Sequence, residues 1–484
     1  MTLAVYKPTG MGSGKRLRQR ILPICAVFIA TGISLWPAMF NGFPLLYADS
    51  MTYVADGSPV AKAVFLQQTS VYYGMRSLLY SLMILPLHWN ASAWPVILVQ
   101  AFLMSYVLWL VTRSVAVGRG IASYLVIVTA LSFLTSYSWY TSMVMPDILG
   151  PVLYMCIYLM VFARKSLSAG EGYVVYFAAW LGLIAHVTHL MIAMGLVLLL
   201  TLVFVVARRG VWKRILSLRD TVVLILISVA SILVLNGILY GKPSLDGERP
   251  PYLMARIIAD GTGRTYLENH CSESHWAICE DVGSIPKEAD DILWEGDGVW
   301  QGASDSRQQQ MLKEEIPFVL ATIRAYPLAQ FDRSAANFWN QLRMFGVEDL
   351  DASSWVMEQF GETLPLERAS YINSRQHRNL LPLDFITTVQ DWAVLAAVAC
   401  ISLITPILWK RCSSELLWLG VVIVAIEIGN AMIGGVLSMV DDRYQSRVMW
   451  MLLYLALLLL FRLIHGLRLG ELRPFGTKRD IALR

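Results

Sequence analysis

The chain has 484 residues, 56% hydrophobic and only 15% charged, with a mean hydropathy of +0.54. That balance excludes a soluble globular protein of this size and makes lipid the solvent for most of the length. The formal net charge of +4 identifies no partner. Basic residues cluster beside apolar runs, without a phosphate loop, repeat or nucleic-acid motif, so nothing points to nucleic acid.

A spanning helix needs about 20 mostly apolar residues. Runs at 20–40, 93–112, 121–137, 147–163, 173–188, 190–207, 221–240, 389–409, 415–437 and 447–465 meet or approach that length. The expected fold is therefore an all-α polytopic membrane protein with about ten transmembrane helices. The first run follows Lys15, Arg16, Arg18 and Arg20 and lacks a clear small-residue cleavage site, the pattern of an uncleaved anchor with a cytoplasmic N-terminus.

Residues 41–92 form a first outer loop. Within it, 75–89 is apolar but short, carries Arg76, and ends in Pro86 and His88. If this run does not span, every basic cluster falls on one side: Arg113 with Arg119, Arg164 with Lys165, Arg208 to Arg219, Lys410 with Arg411, and Arg462 to Arg479. Positively charged loops mark the cytoplasmic side. The run at 75–89 is accordingly read as an interfacial helix, and both termini as cytoplasmic.

Residues 241–388 hold 23 of the 35 acidic residues and read as a soluble extracytoplasmic segment. The chain thus divides into an N-terminal membrane domain, 1–240, the outer segment, 241–388, and C-terminal membrane helices with a basic tail, 389–484. In the outer segment Phe331, Ala335, Phe338, Trp339, Leu342 and Phe345 recur at helical spacing, a stripe expected to pack against the membrane domain. Cys271 and Cys279, in HCSESHWAIC, suit a disulfide closing a short loop in an oxidising compartment. The competing reading is a metal site with His270 and His275. Cys25, Cys156 and Cys400 lie in apolar runs, and Cys412 follows Lys410 and Arg411.

Several polar residues sit where chemistry or simple structure could explain them. Asp49, in PLLYADSMTYVADG, is a carboxylate at the edge of an apolar surface, where lost hydration raises a pKa toward that of a general base; it could equally cap a helix. Asp147 follows Pro146 at a helix start, where the dipole favours a carboxylate in any case. Asp441, Asp442, Arg443 and Arg447 crowd one loop end, where two arginines could grip a phosphate or pair with the aspartates. His186 and His189 are weak metal candidates, with interfacial hydrogen bonding the plainer role. Glu427 is the one acid well inside a run, with Asn430 a candidate hydrogen-bond partner.

An acid in the first outer loop (YADSMTY), interfacial helices before the second span, a second acid at an outer helix start (MPD) and a late Arg-Tyr stretch (DDRYQSR) together resemble the GT-C class of membrane glycosyltransferases. That class includes the lipid A aminoarabinose transferases and the protein O-mannosyltransferases. The resemblance implies transfer of a sugar from a polyprenyl-phosphate carrier to a glycan, lipid or protein acceptor on the periplasmic face of a bacterial inner membrane. Asp49 would be the base, with Asp147 assisting, while Arg443, Arg447, Arg76, Tyr53 and Asp442 would hold the lipid phosphate. The chain departs from better-known members in its single aspartate and in lacking a WWDYG-type motif, which leaves substrate and any divalent metal open. Alternative readings are a lipid-linked glycan transporter and a non-catalytic subunit of an envelope polysaccharide machine.

Overall fold

The computed structural model describes residues 13–68, 74, 76–115, 120–208, 211–245, 247, 249–296, 298–409 and 411–468. Of the basic clusters, Arg119, Arg209, Lys410 and the residues past Arg468 lie outside the described residues. Every regular element among the described residues is helical.

The N-terminal half begins with α1 (Ser13–Ser34) and a short α2 (Trp36–Asn41), then the loop helices α3 (Ala48–Leu66) and α4 (Leu78–His88). It continues through α5 (Trp94–Ser114), α6 (Ile121–Leu134), α7 (Tyr137–Thr141), α8 (Leu149–Phe162), α9 (Ala169–Ala185), α10 (Val187–Ala207), α11 (Val211–Ser217) and α12 (Arg219–Tyr240). The middle of the chain carries α13 (Tyr252–Ala259), α14 (Thr262–Ser274), α15 (Ala289–Trp294), α16 (Asp305–Ala325), α17 (Pro327–Arg343), α18 (Ser354–Thr363) and α19 (Arg368–Ile372). Three long helices close the chain: α20 (Leu383–Leu408), α21 (Ser414–Met432, running on as a π-turn over Ile433–Leu437) and α22 (Asp442–Arg468).

Among the described residues, six helical stretches are long and apolar enough to cross a membrane: α5, α10, α11 with α12, α20, α21 with its π-turn, and α22. The protein is an all-α membrane protein. Apolar stretches in α1, α6, α8 and α9 are shorter, at 10–17 residues. The 11-residue α4 reaches about 16 Å, half of the roughly 30 Å hydrocarbon core. It packs instead along α3, where Gly57 lets the backbones approach: a Cβ there would lie 2.8 Å from the Ser81 carbonyl oxygen.

The two ends of the bundle carry different groups. At one end Arg113 closes on Glu171 at 2.6 Å, Arg214 covers the rings of Phe204 and Trp418, and Arg462 donates to the Arg411 carbonyl. At the other end lie α2–α4, the starts of α8, α10 and α22, and the helices of 252–372. Helices α13–α16 gather their own apolar core around Met254, Ile258, Leu267, Ile292, Met311 and Phe318.

Two features depart from the sequence reading. Asp49 does not cap α3: the N-cap is Tyr47, whose N–H donates to the Ser50 hydroxyl at 2.9 Å. The apolar stripe of 331–345 packs inward only in part: Phe338, Leu342 and Phe345 are half-buried, while Phe331 and Trp339 are 69% and 52% exposed. The face of α17 turned to the bundle is polar instead. Gln341 is fully buried, its side chain paired with both the N–H and the carbonyl of Asp441.

Candidate functional site

The loop between α2 and α3 is fixed to its surroundings by backbone and side-chain contacts. Leu45 makes an isolated parallel bridge with Met143; its N–H donates to the Ser142 carbonyl, and its carbonyl accepts from Val144 N–H. The next residue, Leu46, is clamped on both sides by the Gln376 amide, which accepts from its N–H at 3.0 Å and donates to its carbonyl at 2.6 Å. Asp49 follows one turn later. Asp147 sits just past Val144, in a 3-10 turn over Pro146–Ile148. The bridge therefore brings the two aspartates, distant in sequence, to one end of the bundle.

Arg443 joins them. Its Nη1 donates to Asp49 Oδ2 at 3.1 Å, and its Nε lies 3.9 Å from Asp147 Oδ1. Arg76, from the turn before α4, donates to the other Asp49 oxygen at 2.6 Å. Arg447, one turn along α22, places Nη1 3.5 Å from Asp147 Oδ1. Three guanidinium groups thus face two carboxylates in a cluster whose side chains are between 1% and 23% exposed. Burial alone would push the Asp49 carboxyl up, as the sequence suggests, but Arg76 and Arg443 together outweigh it and hold the group below the usual carboxylate range. Asp49 is therefore an ionised, paired carboxylate.

Aromatic rings frame the arginines. Arg443 lies over Tyr47 at 4.3 Å and Tyr444 at 5.3 Å. Arg76 lies over Trp294 at 5.5 Å and donates to the Tyr252 hydroxyl at 3.3 Å. Tyr252 and Trp294 come from α13 and α15, so the middle segment contributes directly to this cluster. The backbone N–H of Arg443 donates to Asp441 and Asp349 at 2.8 and 3.1 Å, which satisfies an otherwise orphaned donor at the start of α22.

A polar chain continues inward from Arg447. Its Nε and Nη2 donate to Asn430 Oδ1 at 3.1 and 2.8 Å. The Asn430 amide donates to Gln445 at 2.9 Å, and Gln445 donates to Glu427 at 2.8 Å. Asn430 thus serves Arg447 and Gln445 rather than Glu427, contrary to the expectation from their spacing. Several buried groups of this region have no hydrogen-bond partner: both oxygens of Asp147, Arg443 Nε, Arg447 Nη1, Tyr154 OH, His189 Nε2 and Glu427 Oε1. Native interiors leave few polar atoms so, and concentrated capacity of both signs suits a polar or charged ligand.

Other candidates lie apart from the cluster. Asp442 turns away from it and accepts from Gly346 N–H at 2.6 Å, so it does not stand with the arginines as expected. Tyr53 is buried one turn beyond Asp49 and packs edge-on to Tyr80, ring centres 5.0 Å apart. His186 is the N-cap of α10, its Nδ1 2.6 Å from Thr188 Oγ1, and His189 Nδ1 lies 3.1 Å from the Gly182 carbonyl oxygen. One nitrogen of each ring is thereby engaged. Among the described residues, no group of three or more His, Cys, Asp or Glu side chains is arranged to hold a metal ion. Cys271 and Cys279 form a disulfide with Cα atoms 5.6 Å apart, against the α13–α16 core. Their sulfurs are not ligands, and His270 Nδ1 is engaged with the Tyr266 carbonyl.

Tyr47, Tyr252, Trp294, Gln376 and Gln445 escaped the reading of the sequence. Tyr47 had a signal, two residues before Asp49; Tyr252 and Trp294, in a segment without a motif, had none. No protein-family profile, curated protein sequence or solved structure matches this chain.

Proposed function

We propose that this protein is a GT-C-like glycosyltransferase that moves a sugar from a polyprenyl-phosphate carrier to a glycan, lipid or protein acceptor. The observation that carries the reading is Arg443 joining Asp49 and Asp147, with Arg76 and Arg447 beside them, in a nearly buried cluster at one end of an apolar helix bundle. Transfer of this kind needs a base for the acceptor hydroxyl and fixed cations for the departing lipid phosphate.

In the proposed step the acceptor oxygen bonds to the anomeric carbon while the bond from that carbon to the phosphate oxygen breaks. The electron pair stays with the phosphate, and the hydroxyl proton passes to Asp49. Arg443 and Arg76 link the two halves of this reaction. A donor phosphate competes with Asp49 for both guanidinium groups, and each one drawn to the phosphate frees a carboxylate oxygen and lets its pKa rise. Asp49 thus becomes a better base when the donor is bound.

The same reading places ten spans in a bacterial inner membrane. The helices α1, α5, α6, α8, α9, α10, α12, α20, α21 and α22 are taken as spanning, with the shorter ones held in the bundle. The end bearing Arg113, Arg214, Arg411 and Arg462 is taken as cytoplasmic, and the segment 241–388 as periplasmic. The Cys271–Cys279 disulfide supports an oxidising location for that segment.

The experiment is transfer of labelled sugar from a polyprenyl-phosphate donor in proteoliposomes containing the wild type or Asp49→Asn. Loss of transfer by about 100-fold or more at normal protein abundance is expected. Unchanged transfer would sink the enzyme reading. A lipid-linked glycan transporter, which the inward chain from Arg447 to Glu427 would suit, would move the donor across the bilayer without cleaving it.

A further inference from the structure

Helix α17 has three distinct sides. Gln330, Ser334, Asn337 and Gln341 form the row turned to the protein: Gln330 and Asn337 donate to Asp260 at 2.8 and 2.7 Å, and Gln341 pairs with Asp441. Next round the helix come Leu328, Phe331, Ala335, Phe338, Trp339 and Leu342. The remaining side carries Asp332, Arg333, Asn340 and Arg343, all exposed. The inward row is polar; beside it Phe338 and Leu342 are half-buried, and the rest of the apolar row, Leu328, Phe331, Ala335 and Trp339, is exposed. Leu328 is 79% exposed and Phe331 69%.

The neighbourhood says what covers it. The inward row rests on the end of α21, where Gly435 admits it: a Cβ there would lie 2.7 Å from the Asn337 carbonyl oxygen. The stretch Ser414–Leu437 is one of the six candidate spans, and its exposed Ile428, Met432 and Leu437 are the surface such a span offers to acyl chains. The apolar row of α17 thus begins where a lipid-facing surface ends. A helix with apolar and charged flanks on opposite sides suits the plane of a membrane interface, its apolar face buried about 5–10 Å into the headgroup–acyl boundary. Trp339, with Arg343 over its ring at 5.1 Å, supplies the aromatic and basic pair favoured at that depth.

We infer that α17 lies in the membrane surface, its Phe331–Trp339 flank in the phospholipid leaflet next to α21 and its Arg333–Arg343 flank in water. The middle segment is thereby anchored to lipid as well as to the bundle. This inference needs only the membrane character of the chain and is independent of the enzymatic reading.

The test is nitroxide labelling of the full chain in phosphatidylethanolamine–phosphatidylglycerol nanodiscs. Single cysteines replace Phe331, Ala335 or Trp339 on one flank and Asp332, Ala336 or Asn340 on the other, with Cys25, Cys156, Cys400 and Cys412 changed to alanine and the disulfide kept. Labels on the first flank are expected to collide preferentially with oxygen, which concentrates in lipid, and those on the second with a water-soluble nickel chelate. A reversal of the preferred collider between the two flanks is the expected reading. Preference for the chelate on both flanks overturns the inference, since α17 would stand in water. Protection of the apolar flank from both reagents overturns it too, since protein, such as a second copy, would then cover the stripe. The polar-flank labels leave the stripe intact and show whether each preparation is folded.

Discussion

Asp49 Oδ2 accepts a hydrogen bond from Arg443 Nη1 at 3.1 Å across 394 positions of sequence. Helices α3 and α22 are thus bound through a charge pair, and Asp147 lies against the same guanidinium. Removing either carboxylate leaves buried guanidinium charge without its counter-ion.

The Asp147–Arg447 pair gives the sharpest measure of this coupling. Breaking a buried pair from one side costs about 3–5 kcal/mol, so Asp147→Ala and Arg447→Ala should each destabilise strongly in mixed-micelle unfolding. The double variant should cost less than the sum, by up to about 3 kcal/mol, because the second change removes a charge whose attraction the first has already weakened. Strict additivity would mean that the two groups do not interact.

Acid should undo the Asp49 pairing in a defined window. The folded carboxyl sits below the usual range, so its contribution is fully present above the unfolded pKa of about 3.9 and fades as pH falls through the lower folded value. The stability difference between wild type and Asp49→Asn should be level from about pH 8 to about pH 5 and shrink below about pH 4. A difference that grows on acidification would contradict the pairing.

Gly435→Ala tests the seat of α17. The added carbon would meet the Asn337 carbonyl oxygen at 2.7 Å and Gln341 Cβ at 2.9 Å, so α17 must lift. A cost of about 1–3 kcal/mol is expected, with faster proteolysis between 326 and 345. Wild-type cleavage rates would show that the contact gives way without consequence.

Much of the architecture is legible because lipid imposes a length on apolar runs: α5, α10, α12, α20, α21 and α22 fall within a few residues of the expected stretches. The short 75–89 run is read as interfacial from the sorting of charge, through Arg113 and its kin. Side-chain destinations were harder. The stripe from Phe331 to Leu342 has helical spacing whatever it faces, and only the buried Gln341 shows that the polar row turns inward. The lowered pKa of Asp49 depends on Arg76 and Arg443 arriving from elsewhere, which hydropathy does not encode. Trp294 and Tyr252 reach Arg76 from a segment whose fold is not written in any short pattern.

Among the described residues, the counter-charges of Asp147 all lie C-terminal to it. Both arginines near its carboxylate belong to α22, which leaves the ribosome long after Asp147. At a synthesis rate of about 5–20 residues per second, the aspartate waits on the order of tens of seconds beside apolar neighbours before a cation reaches it. An unpaired ionisable group at membrane depth is costly, so the nascent N-terminal half is held incomplete until α22 inserts. A chain truncated before Arg443 would carry that uncompensated charge permanently, exposing it to clearance by membrane proteases.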